Sequence, residues 1–443
     1  MTSSAPGPWQ RARRAIPLAV FSTLAIAGMA RAADTPQPVT FSKDVAPIMQ
    51  AKCQNCHHPG AAAPMSLTTY EEARPWARSI KLRVQNREMP PWHLDKTVGI
   101  RKYKNDISLS DKEIATLTAW VDGGALQGNP ADMPPARTFA PEDVWHIGKP
   151  DLVVPMDGQH KMYAKGPDWW IDYFADVTLD EDRYIKAMEI KPGNRRIVHH
   201  VVMYVIEPDA PPGTPETGIN LHEYAVGKYG DTFNENTGRL LKKGSRLRFD
   251  MHYFANGEES TDRTEMAFIF YPKGFVPKYE VRSISFRNLP NDELEIAPNT
   301  VTRHDGYFRL TKPTRIDAFQ PHMHMRGRGL TVEAIDPVSN RTQILSSVDH
   351  FDFNWHVAYL YGDDVAPLLP AGTVLHIIGI HDNTSANRRN PDPNMWAGYG
   401  ERSVDDMLQL WMNVVYLDDG EFKRLVDERK AKQMQTGTAQ QQQ

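Results

Sequence analysis

Cysteine is nearly missing from this chain: two residues in 443, both between positions 53 and 56. With so few, no disulfide framework supports the fold. Long apolar runs are missing as well. Beyond residue 32 no segment reaches the roughly 18 uninterrupted apolar residues of a membrane span. No block of one charge stands out and the formal net charge is −4, which argues against nucleic acid as the main partner. With 40% apolar and 24% charged residues, the chain is neither disordered nor a polytopic membrane protein. Turn residues and histidine are what it has in supply. The 29 glycines and 34 prolines favour a turn-rich, β-heavy architecture. Of 16 histidines, eleven lie at or after residue 199.

Arg11, Arg13 and Arg14 precede an apolar run from Ala15 to Ala30, which closes with Ala30-Arg31-Ala32. A positive start, a short apolar stretch and a small-x-small site read as a secretory signal peptide over residues 1–32. The alternative is an uncleaved N-terminal anchor. Cleavage removes four arginines and no acidic residue, leaving a more acidic chain without a transmembrane span. The compartment expected is the bacterial periplasm or the outside of the cell.

In such a compartment two cysteines need a reason. Cys53-Gln54-Asn55-Cys56-His57 is the C-x-x-C-H pattern of c-type haem attachment. The thiols add to the haem vinyls and His57 follows as an axial iron ligand. Methionine is a common second axial ligand, and Met89 and Met65 compete for it. Met65 lies only eight residues after His57, whereas Met89 follows an amphipathic stretch (Tyr70 to Arg87) and precedes Pro90-Pro91-Trp92. Two prolines fix the backbone there, so Met89 is expected. Phe41 to Lys52 reads as a first helix. A last one follows Ser110, an N-cap with Glu113 at the capping-box position, and stops at Gly123. Residues 38–128 thus resemble a small all-α cytochrome c domain, followed by a Pro-rich linker over 129–149.

After the linker the periodicity becomes alternating. Short β-type runs recur between turn signals to about residue 417, which suggests two antiparallel, jelly-roll-like sandwiches, over 150–288 and 289–420. The end, 421–443, reads as a charged helix and a disordered Gln-rich tail. His199-His200 interrupts an apolar strand pattern, and His252 lies in another. Buried imidazole nitrogens are costly unless something satisfies them. Neighbours on a strand face opposite ways, so sharing one ion requires a bulge or a strand end at His199-His200. His322 and His324, at i and i+2, share a face and can converge directly. His350, His356, His376 and His381 read as supporting or structural residues.

These histidines resemble the pattern of the copper type II, ascorbate-dependent monooxygenases, the group of peptidylglycine hydroxylating monooxygenase and dopamine β-monooxygenase. The resemblance covers about residues 150–420 and implies two copper ions. It assigns His199, His200 and His252 to an electron-delivering copper, and His322, His324 and Met407 to the copper that meets O₂. Met407 stands in Arg402-Ser-Val-Asp-Asp-Met, where Asp406 replaces the family's Glu. Pro192-Gly-Asn, Asp352-Phe-Asn-Trp and Asp382-Asn-Thr-Ser-Ala-Asn, ahead of Asn390-Pro-Asp-Pro, look like segments of bacterial relatives. The chain departs from the animal enzymes in lacking disulfides and in carrying the haem motif.

The ligand chemistry supports copper independently: imidazole suits both oxidation states and a thioether favours Cu(I). Zinc is the runner-up metal, but methionine fits it poorly. The expectation is a periplasmic monooxygenase that hydroxylates a C–H bond of a small molecule with O₂. A periplasmic donor would supply electrons through one covalent c-type haem. The other reading is a non-enzymatic haem/copper electron-transfer or copper-handling protein.

Overall fold

Alternation along the chain translates directly into sheet faces. In the strand Arg246–Tyr253 the core takes Leu247, Phe249, Met251 and Tyr253, while the intervening side chains point away from it. The computed structural model describes residues 37–61, 63–139, 144–210, 218–225, 228, 230–287 and 294–440. The expected signal peptide, 1–32, lies outside them. Contacts group Val39–Gln443 as one unit.

The first half of the strand region is a sandwich. One of its sheets runs Leu152–Pro155, Glu265–Phe270, Arg183–Lys191, Thr237–Leu241. The other runs Trp169–Asp176, Arg246–Tyr253, Val198–Ile206, Ile219–Ala225. Both contribute to one apolar core, with Ile185, Met188 and Phe268 from the first and Val201, Met203 and Phe249 from the second. The second half repeats the plan. Tyr279–Arg287, Gln409–Tyr416, Thr314–His322 and Tyr359–Leu360 form one sheet; Val301–Arg309, Val374–Asp382, Gly327–Ile335 and Thr342–Val348 form the other. Phe319, Leu330, Ile377 and Leu410 lie in its core.

The sandwiches share a sheet. Tyr279 and Glu280 pair in parallel with Thr237 and Gly238, which joins the two facing layers into one ten-stranded sheet. The strand Tyr279–Arg287, expected within the first sandwich, pairs with Gln409–Tyr416 of the second.

An all-α cytochrome c-like domain over 38–128 is not formed, and the fold is predominantly β. The helices there are short: Ala46–Lys52 after a π turn at Phe41–Val45, Tyr70–Ala73, Ala77–Gln85 and Asp111–Asp122, the longest at 12 residues. Proline is one cause. Pro75 sits in a 3₁₀ turn, Arg74–Trp76, that interrupts the expected Tyr70–Arg87 helix. Helices this short are marginal without packing partners. Between Met89 and Ser110 the chain forms no helix. It crosses to the second sandwich, where Leu94 bridges Val348 and Tyr103 bridges Tyr361. Trp92, Leu94 and Tyr103 are part of that sandwich's core. What the segment builds of its own is a small cluster including Phe41, Met49, Leu117 and Trp120. The final helix does carry the expected capping box between Ser110 and Glu113.

The Pro-rich stretch lies against the helical segment, with Gln50 donating to the Pro135 carbonyl at 3.0 Å and Arg137 to Asn55 Oδ1 at 2.8 Å. The C-terminal helix spans Asp419–Gln440, longer than the charged stretch expected to form it. Its Phe422 and Leu425 pack on Val281 and Val415. Among the described residues no helix is long and apolar enough to cross a membrane.

Candidate metal centres

The adjacency problem at His199-His200 is solved by a bulge. The strand Val198–Ile206 pairs with Arg246–Tyr253, and its register slips between Val198 and His200. His200 then lies directly opposite His252. With His199 displaced by the slip, all three rings converge. His199 Nδ1 lies 3.0 Å from His200 Nδ1, which lies 3.2 Å from His252 Nδ1. Ligand atoms around an ion bound at about 2.0–2.2 Å sit roughly 3.0–3.6 Å apart, so this spacing suits a shared cation.

The rings are positioned from behind. Asp168 Oδ2 lies 3.1 Å from His252 Nε2, so Nε2–H donates to the carboxylate and the Nδ1 lone pair faces its neighbours. That bond to His252 holds Asp168 below the usual carboxylate range. Ser403 also donates to Asp168, at 3.1 Å, tying a loop of the second sandwich to this centre. Trp170 stacks on His252 with ring centroids 4.0 Å apart, and Phe353 stacks on His199 at 5.1 Å. Burial, then the neighbouring imidazoles, push His199 and His200 well below the usual histidine range. These rings are neutral at pH 7 and present lone pairs.

A second group forms around His322, the last residue of the strand Thr314–His322. Its Nδ1 is 3.2 Å from His356 Nδ1, and His356 Nδ1 is 3.6 Å from Glu223 Oε1. Burial and the adjacent His356 and His324 depress His322 as well. His324 lies past the strand end, its ring 5.4 Å from that of His322. Its Nδ1 is buried without a partner, as are His356 Nε2 and Glu223 Oε1. Buried unpaired atoms of this kind are rare and costly, and they fit a bound cation. Trp411 packs 4.7 Å from the His322 ring. The two groups touch, with the His200 and His322 ring centroids 6.0 Å apart.

Asp406 explains how Met407 is placed. Its carboxylate accepts from the backbone N–H of His324, Arg326 and Met407, each at 2.9 Å. Burial would raise it, but His381 and the His324 N–H outweigh burial and hold Asp406 below its usual range. One buried carboxylate thus clamps the Met407 segment to the His322–His324 turn.

At the haem motif Cys53 and Cys56 are free thiols on a turn that closes with His57 N–H donating to the Cys53 carbonyl at 3.0 Å. Burial, then Cys56, pushes the Cys53 thiol up to about 12. His57 Nδ1 is 3.2 Å from the Met65 carbonyl, which fixes the tautomer and leaves Nε2 for a metal. Met65 packs in the small cluster that includes Cys53. Met89 instead lines a cleft of about 660 Å³ with Trp92, Leu109, Ile114 and His350.

The structure therefore brings His199, His200 and His252 together, puts His322 beside His324, and sets Met89 and Met65 in different surroundings. Sequence reading missed Glu223 and Asp168 and gave His356 only a supporting role. The signal for Glu223 was a His222-Glu223 pair within the strand Ile219–Ala225, as polar and as buried as His200.

No protein-family model and no curated protein matches the chain. Among solved structures it is similar to the major capsid protein P2 of bacteriophage PM2, at 10% identity and TM-score 0.30, over 60% of this chain and 97% of that one. A fucolectin from striped bass (Morone saxatilis) serum gives 9% and 0.18, over 59% and 86%. The VP2 subviral particle of infectious bursal disease virus gives 8% and 0.18, over 62% and 74%. Likeness this low carries no argument about fold or function.

Proposed function

We propose that the chain is a periplasmic copper-dependent monooxygenase. It would hydroxylate a C–H bond of a small substrate, with electrons arriving through a c-type haem bound at Cys53, Cys56 and His57. The observation that carries this reading is the meeting of two buried imidazole groups at the junction of two sandwiches. Copper held there would supply one-electron chemistry toward O₂, with imidazole serving both oxidation states and a thioether favouring Cu(I). The balance is R–H + O₂ + 2e⁻ + 2H⁺ → R–OH + H₂O.

The chain's own residues would do the rest. Asp168 holds the His252 tautomer, Asp406 holds the Met407 segment, and Trp170, Phe353 and Trp411 keep water from the imidazoles. The haem segment reaches the second sandwich through Trp92, whose ring centroid is 4.8 Å from that of Tyr359. Tyr359 in turn packs on Phe319, with ring centroids 5.8 Å apart, in the core of the second sandwich. Met89, on the cleft wall beside Trp92, would be the methionine that binds the haem iron.

The second reading is a non-enzymatic haem/copper electron-transfer or copper-handling protein. Ring centroids 6.0 Å apart favour it, because they leave little room for a substrate between the groups. The test is anaerobic copper loading of the full chain, reduction, and exposure to ¹⁸O₂ with a pool of candidate metabolites. One ¹⁸O atom in a product is expected. Reduction of O₂ to peroxide alone, across broad pools, would favour the second reading.

A further inference from the structure

The group around His322 contains a donor set different from the one that places its copper between His324 and Met407. Glu223, His322 and His356 each turn one ligand atom inward, all within 4.8 Å of one another, and all three side chains are buried. The separations of 3.2 Å and 3.6 Å match the edges of a coordination shell. A hydrogen-bonded cluster would leave fewer loose ends: Glu223 Oε1, the oxygen that faces His356 Nδ1, is buried with no hydrogen-bond partner. Glu223 Oε2 accepts from Gln320 Nε2, which fixes the carboxylate with Oε1 turned toward His356. The three come from distant places. Glu223 belongs to the first sandwich, His322 ends a strand of the second, and His356 lies in the loop before Tyr359.

We infer that Glu223, His322 and His356 form a binding site for a divalent first-row transition-metal ion, with the Glu223 carboxylate as its anionic ligand. Two imidazoles and a carboxylate are harder donors than the His324/Met407 set, so this site prefers M(II) where the thioether set prefers Cu(I). His322 is common to both. The inference therefore deepens the monooxygenase reading: the oxidation state of the ion decides which neighbours of His322 hold it. It also gives the two sandwiches a shared ion at their junction.

Zn(II) and Cu(II) are suitable probes, measured by equilibrium dialysis on the full-length chain with both thiols occupied by haem or alkylated. Two Zn(II) per chain are expected in the wild type, one at His199/His200/His252 and one at this site. Glu223→Gln and His356→Asn should each weaken one of the two ions by at least about tenfold. Retention of the other ion shows that the fold is intact. Met407→Leu should keep both Zn(II) ions and lose affinity for Cu(I) in chelator competition. Two Zn(II) bound with wild-type affinity in both Glu223→Gln and His356→Asn would overturn the site. If those variants fold poorly, Cu(II)-loaded His200→Ala/His324→Ala, which leaves the His322/Met407 set a single imidazole, decides by counting coordinating nitrogens in pulsed EPR. Two imidazole nitrogens on the bound ion support the assignment, and any other count overturns it. An absence of ¹⁸O product with both ions bound would sink the monooxygenase reading and leave this site standing.

Discussion

The two metal groups are built in different ways. His199, His200 and His252 come from two neighbouring strands of one sandwich, and a single bulge assembles them. The group at His322 needs three segments, two sandwiches and a seam between them. The ligands of the first centre therefore all come from one strand pairing, and the second sandwich reaches it only through supporting contacts, Ser403 to Asp168 and Phe353 to His199. The second centre depends on how the sandwiches meet, and on Asp406 holding the turn after His322.

The largest effect that separates them is at the first centre. His200→Ala should remove its ion, with affinity falling by more than about 100-fold, while an ion at His322 is retained; a direct ligand matters more than the outer partners, which cost 10–100-fold. Metal analysis after dialysis reads this, and loss of both ions together would mean the two are one cooperative site. Asp406→Asn should do the reverse. It weakens three charge-assisted bonds to backbone N–H groups and should cost about 3 kcal/mol in urea unfolding. It should also depress O₂ consumption while the first centre keeps its ion.

Asp168→Asn is milder and sharper. It swaps an acceptor for an amide at His252 Nε2, and should weaken the first ion about 10–100-fold without unfolding the strand pair. Full affinity in this variant would show that His252 needs no orienting partner.

Legibility followed the same division. Whatever rested on local pattern was readable: the alternating strands, the capping box at Ser110, and the need for a bulge at His199-His200. Whatever rested on contacts between distant segments was not. Glu223 looked like one more strand residue, because only packing of the two sandwiches brings it to His356. The helical segment failed for a related reason. Its helix signals suggest a self-contained α domain, but Trp92, Leu94 and Tyr103 belong to the second sandwich's core. The stretch Phe41–Lys52 and the helix Asp111–Asp122 carried real helix signals. The sequence pattern held no information on where the intervening chain would dock. The expected disordered tail likewise read composition alone, while the helix continues to Gln440.

Two smaller effects probe regions outside the centres. Met89→Ala should shift the visible spectrum and reduction potential of the bound haem while leaving copper content unchanged. An unaltered spectrum would remove Met89 from the haem and make Met65 the next methionine to test. Asp250, in the strand that carries His252, is pushed up to about 7 by burial and the nearby Asp172. Its unfolded carboxyl titrates near 3.8, so the unfolded chain releases its proton first and the folded state loses stability as pH rises toward 7. Asp250→Asn should therefore raise the melting temperature by about 2–4 °C at pH 8 and by less at pH 5. An equal gain at both pH values would mean the carboxyl titrates normally in the fold.

Metal analysis of the full-length protein, purified from an oxidising compartment and loaded anaerobically with copper, bears most directly on the proposal of two coppers beside a haem. Two copper ions and one covalently bound haem iron per chain are expected, with His200→Ala reducing the copper to one and leaving the iron unchanged. One copper or none in the wild-type chain, or an iron that is lost on denaturation, would contradict it.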